Sequence, residues 1–221
     1  MTNAWFVNGI QTTLGMKNVS MIGIDPEDER GKTEDEIRAV ARRQRKGVHA
    51  LRDGFQIEPD GMPPIFRWGT GSKVPEGDTP PPFMSMNSIP GVSAETKALL
   101  EEFDLGETYF RPIRILDRNR KYELWDQDYY VLNVCNRRQW VDVSNPVLPV
   151  FSPEPWPRTD PPAYKVINPE KLIVSAEALN GPDLWKDICA KDTLFVSPRL
   201  AKALKAAKLD KGWRLKKTLA G

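Results

Sequence analysis

His49, the one histidine in the chain, stands four residues before Asp53, a spacing that puts an imidazole and a carboxylate on one face of a helix. An oriented general base is half of a hydrolytic site, but no nucleophile stands nearby to complete it, so the pair reads as a helix-surface contact. Asp126 and Asp128 flank Gln127 beside Trp125, just ahead of an apolar run. Two acids next to an aromatic are the ingredients of glycoside hydrolysis. Acids this close in a connection between strands are expected to be solvent-facing turn residues instead. Gly69-Thr70-Gly71-Ser72-Lys73 has the residue types of a phosphate loop without the four-residue gap before its Gly-Lys pair, and no apolar strand precedes it. Cys135 and Cys189 lack metal-ligand spacing and read as buried thiols. These residues call for no catalytic site, no metal and no cofactor.

The elements that must position these residues are short. Val92-Ser93 and Val196-Ser197 each lead from a strand into a helix, and aligning them also matches Leu100 with Leu204 and Leu105 with Leu209. In both copies Ser is the expected N-cap, accepting from an amide of the first turn; Pro198 suits the first helical position. The first copy predicts a helix to about Phe103 with Thr96, Leu99, Leu100 and Phe103 inward; the second buries Leu200, Leu204 and Ala207. A third helix follows Thr33, whose capping box is closed by Glu36. Ile37, Val40, Ala41, Val48 and Leu51 form its apolar face, opposite Arg38, Arg42, Arg43, Arg45 and Lys46.

Strands are expected at Val19–Ile24, Tyr109–Leu116, Tyr129–Val134, Tyr164–Ile167 and Lys171–Val174, with Pro112 marking an edge or a bulge. The Pro/Gly-rich stretch from Pro59 to Pro90 reads as a loop anchored by Phe66 and Trp68. The sum is an α+β fold of short, mostly antiparallel strands with three capped helices, without the βαβ alternation of a parallel sheet.

Among 221 residues, 32 basic and 30 acidic side chains leave a net charge of +2, so the whole molecule offers no general field for nucleic acid. Two local surfaces, Arg38–Lys46 and the lysines from Lys202 to Lys217, keep a nucleic-acid-binding accessory role as the alternative function. No charged leader precedes an apolar core at the N-terminus and no apolar run is long enough to cross a bilayer, so the expected compartment is the cytoplasm. Seven tryptophans are spread along the chain. Trp125, with its acidic neighbours, and Trp156, between two prolines, are the candidates for exposed interface anchors.

Three segments carry a resemblance: the Val92-Ser93 helix with the strands after it, Lys171-Leu172-Ile173-Val174 leading through Pro182-Asp183-Leu184-Trp185, and Leu194-Phe195-Val196-Ser197 with Leu200, Ala203 and Leu204. Together they resemble a bacterial polymorphic-toxin immunity family, typified by a Myxococcus immunity protein and once known only as a domain of unknown function. The likeness spans about residues 84–210. It sets an immunity-like domain at 84–221 apart from an N-terminal segment at 1–83 that contains one helix and forms a lobe or a wrap. The resemblance implies a non-catalytic protein that binds and blocks a cognate toxin encoded by the adjacent gene. Trp125, Asp126, Asp128 and Trp156 are the residues expected to touch that toxin.

Overall fold

The computed structural model describes residues 3–8, 10, 19–22, 31–68, 79–86, 88–117, 119, 122–144, 150–152, 163–164, 166–190 and 192–221. The chain enters through β1 (Trp5–Val7) and β2 (Val19–Ile22), then α1 (Glu34–Arg52). Next come β3 (Ile65–Trp68), β4 (Phe83–Met86), β5 (Ile89–Ser93), α2 (Ala94–Leu100), β6 (Thr108–Leu116), β7 (Tyr129–Val134) and β8 (Arg137–Arg138). Two small pairs join β9 (Val150–Ser152) to β10 (Ala163–Tyr164), and β11 (Ile173–Val174) to the last strand, β15 (Leu219–Ala220). Between them lie β12 (Leu184–Asp187), β13 (Phe195–Val196), α3 (Pro198–Ala206) and β14 (Leu215–Lys217). Eleven of these strands form two mixed sheets, ordered β2-β3-β6-β7-β5-β4 and β14-β1-β13-β12-β8, which with three helices make an α+β fold.

In the six-stranded sheet, β6 and β7 pair antiparallel from Thr108 opposite Val134 to Ile113 opposite Tyr129. β3 joins the other side of β6 in parallel only from Arg114 onward. Pro112 therefore sits where β6 still has an unpaired side, which is how a proline is tolerated in a strand that becomes interior two residues later. The expected loop from Pro59 to Pro90 is corrected: β3 and β4 lie inside it. β5 also begins there, at Ile89, with Pro90 inside it; the residues of β3 and β4 are buried almost without alternation (Phe66 and Met86 are fully enclosed), so the period-two signal is missing.

The two strand-cap-helix copies meet in one core. Ser93 accepts from the Thr96 amide at 3.3 Å and Ser197 from the Leu200 amide at 3.1 Å. Val92 and Leu100 pack with Val196, Leu200 and Leu204 in a single cluster that Leu132, Leu184 and Trp213 complete. Each cap is worth about 1 kcal/mol, whereas each enclosed Leu is worth roughly 1.5–3 kcal/mol. Packing thus holds the helices, and the caps decide where they begin. Ala207, expected in the buried stripe, is exposed because α3 stops at Ala206; Ala201 takes its place in the core.

Helix α1 closes its capping box as expected, Thr33 with Glu36. Its N-terminal half stands clear of the core: Ala41 is exposed, Ile37 and Val40 are half-buried, and burial starts at Gln44. From there Val48 and Leu51 cover a second core of Phe66, Trp68, Met86, Ile113, Trp125 and Tyr129. Gly47 allows this approach, since a Cβ there would stand 1.7 Å from the Gly61 carbonyl oxygen.

Buried charges stitch the parts together. Lys186, on β12, donates to the carbonyls of Leu51 at 2.6 Å and Arg52 at 2.8 Å, capping the negative end of α1. The fully enclosed Asp183 carboxylate accepts from the Ser197 hydroxyl, the Asp104 amide and the Arg199 guanidinium. Asp187 takes the amides of Trp140, Val141 and Cys189. Burial pushes its carboxyl above the ordinary range and these amides pull it back.

Candidate functional site

Trp125 is not an exposed anchor. It is 5% exposed, edge-on to Trp68 at 6.0 Å and stacked on Tyr129 at 6.3 Å. The chain before it explains this correction: the Leu124 amide donates to the Ile115 carbonyl at 2.8 Å and Glu123 bridges to Leu116. The stretch from Glu123 is thereby tied along β6, and the indole falls into the core beneath. What Trp125 does instead is fix the exposed turn that follows it, Asp126-Gln127-Asp128.

In that turn the Asp128 carboxylate accepts from the Tyr130 hydroxyl at 3.0 Å, and its carbonyl accepts from the Ala94 amide at 3.3 Å. Burial, and then the bond to Asp128, pushes the Tyr130 phenol upward and keeps it a donor. Asp126 has no hydrogen bond or ion pair among the described residues. Both acids line a cleft of about 290 Å³ whose other walls include Pro64, Pro112, Arg114 and Glu123. Arg114 and Glu123 form an ion pair across it.

Pro64 and Pro112 also border a second cleft, of about 460 Å³, between α1 and β6. Its polar side chains are Arg43, Gln44, Asp60 and Arg111. The two clefts thus form one groove over a proline saddle, acidic at the 126–128 end and cationic at the α1 end. Sequence reasoning located the acidic end only. Arg111, directly before Pro112 in a strand rich in apolar residues, was the available sign of the other.

The remaining candidates do not converge on the groove's acidic end. His49 is exposed on α1, and Asp53 caps that helix through its own amide, which donates to the His49 carbonyl at 3.0 Å. Cys189 is buried and Cys135 half-buried, with burial pushing the Cys135 thiol up. Trp156 and the Gly69–Lys73 stretch lie outside the described residues. No group of His, Cys, Asp and Glu among the described residues could hold a metal. The basic surfaces are partly neutralised: Arg38 pairs with Glu34 and Asp35, Arg43 with Asp60, and Lys216 with Glu170. Lys205 sits 3.7 Å above the Trp5 ring.

Fold and site together define an α+β protein whose buried charges are structural and whose surface carries a groove with ends of opposite sign. The chain belongs to an immunity protein family, Imm11, whose model matches residues 19–219. No curated protein matches it. No helix among the described residues is long and apolar enough to cross a membrane.

Proposed function

We propose that this chain is the immunity partner of a toxin encoded by the adjacent gene, and that it acts in the cytoplasm by binding the toxin and covering its working surface, without turnover. The observation that carries this reading is membership of the immunity family over residues 19–219. The groove supports it. An inhibitor needs a shaped, charged surface, and electrostatic complementarity speeds the encounter and rejects wrong partners.

Asp126 and Asp128 are the toxin-contacting charges at the acidic end, held in place from below by Trp125 and from the side by Tyr130. Trp156 keeps the interface role suggested by its proline-flanked position. The test is co-expression of the tagged chain with the product of the adjacent gene. Co-purification of an inactive toxin is expected. Loss of toxicity without any complex would contradict occlusion and point to enzymatic reversal of the toxin's damage.

A further inference from the structure

The α1 end of the groove offers an occupant carbon more than charge. Among its walls, Val40 and Phe110 are half-buried, Pro64 and Pro112 are exposed and Met62 is enclosed. Both arginines there are engaged, Arg43 with Asp60 and Arg111 through its Nη2 with the Ile57 carbonyl. Pro112 adds a ring and no N–H, so an occupant has no donor to satisfy at that point of β6. The wall is also held in place. Phe110 stands edge-on to Tyr130 at 6.5 Å, and the Lys97 ammonium lies 5.2 Å from the centre of its ring. A cleft of about 460 Å³ with such walls has room for a bulky apolar side chain.

Across the proline saddle the sign of the occupant's charge is set. Arg114 and Glu123 neutralise each other, which leaves the exposed Asp126 and Asp128 to make that cleft negative. Asp128 accepts from the Tyr130 hydroxyl, whereas Asp126 has no hydrogen bond or ion pair among the described residues. We propose that the groove receives an extended segment of the toxin with two features: a large aliphatic or aromatic side chain seated between α1 and β6, and a Lys or Arg on the same face whose stem crosses Pro64 and Pro112 to reach Asp126. Alternate side chains of an extended chain share a face, so residues two apart supply both. Long cationic side chains lay their stems on apolar surface and keep the charge in water. Charge decides against a nucleic acid, whose phosphates would meet Asp126 and Asp128. This inference rests on the proposed immunity function and names the chemistry of the partner's contact.

The test is a calorimetric titration of the purified adjacent-gene toxin into the full chain at low and high salt. The chain is used as wild type and as Val40→Glu, Val40→Ser and Asp126→Asn, each first checked for a native melting transition. Val40→Glu puts a carboxylate where the apolar side chain must sit and should weaken binding by at least about thirtyfold at both salt concentrations. Val40→Ser should cost about fivefold through lost apolar contact. Asp126→Asn should cost about threefold at low salt and little at high salt, as for a charge left in water. Val40→Ser decides the matter if Val40→Glu does not fold. Wild-type binding with unchanged affinity in Val40→Glu, or in Val40→Ser where that variant decides, would overturn the proposal. So would a loss in Val40→Glu that vanishes at high salt. Self-association of the chain alone that Val40→Glu abolishes would overturn it too, by assigning the cleft to a second copy. Absence of any wild-type complex would instead defeat the immunity reading, and this inference with it.

Discussion

The ammonium of Lys186 lies 2.6 Å from the carbonyl oxygen of Leu51, tying β12 of the five-stranded sheet to the end of α1, which packs on the core beside the six-stranded one. The contact, with a second bond to the Arg52 carbonyl at 2.8 Å, anchors the C-terminal end of α1. Its energetic logic is that a buried ammonium needs acceptors, and the last carbonyls of a helix need donors.

Lys186→Met should therefore lower stability by roughly 1–3 kcal/mol, the cost of stranding buried acceptors. The amides in the last turns of α1 should lose hydrogen-exchange protection more than those of β6 and β7. Equal loss everywhere would mean that Lys186 supports the whole fold and not this helix end.

Ser93→Ala and Ser197→Ala remove equivalent caps, yet the second should cost more. Each loses about 1 kcal/mol of capping. Ser197→Ala also takes a donor from the enclosed Asp183 carboxylate, adding about 1 kcal/mol or more. Urea unfolding of the two variants side by side measures the difference.

Gly47→Ala opposes two rules. Helix propensity alone would stabilise it by about 1 kcal/mol, but the new Cβ would collide with the Gly61 carbonyl oxygen. The collision is with backbone and should win, for a net loss of about 1–3 kcal/mol by thermal or chemical unfolding. A gain would mean that the segment around Gly61 yields freely.

Asp187 makes stability pH-dependent in a known direction. Burial raises its folded pKa above the ordinary 3.8, so its contribution is fully present below the unfolded value and is lost as pH rises through the folded one. Asp187→Asn removes that titration. It should also cost roughly 1–3 kcal/mol near about pH 4, since an amide cannot accept from all three backbone donors. The gap between the wild type and the variant should narrow as pH rises through that window and then level off, measured by denaturant unfolding across pH.

What the sequence made legible was local. Thr33 with Glu36, Ser93 and Ser197 declared their helices because caps are written in adjacent residues. The β6–β7 pair declared itself through its β-branched and aromatic density. Trp125 was misjudged because its acidic neighbours describe the turn, while the indole's burial depends on Trp68 and Tyr129 from other strands. Lys186, Asp183 and Asp187 were unreadable for the same reason: each is satisfied by partners brought close only by folding. The groove's cationic end was hidden likewise, since Gln44 and Arg111 meet only when α1 packs beside β6.

At the acidic end, Asp126→Lys with Asp128→Lys should leave the fold intact, because both side chains are exposed. The effect should fall on the association rate with the toxin and on its salt dependence, as for charges at an interface rim. Stopped-flow mixing at low and high salt measures this, and an unchanged rate at low salt would remove the turn from the interface.

Occlusion without turnover is tested most directly by titrating the activity of the adjacent-gene toxin with the purified chain. Binding and blocking predict a sharp end-point at one equivalent, with activity returning when the complex is dissociated. Silencing of the toxin by a small fraction of an equivalent, or a loss that persists after the chain is removed, would contradict it.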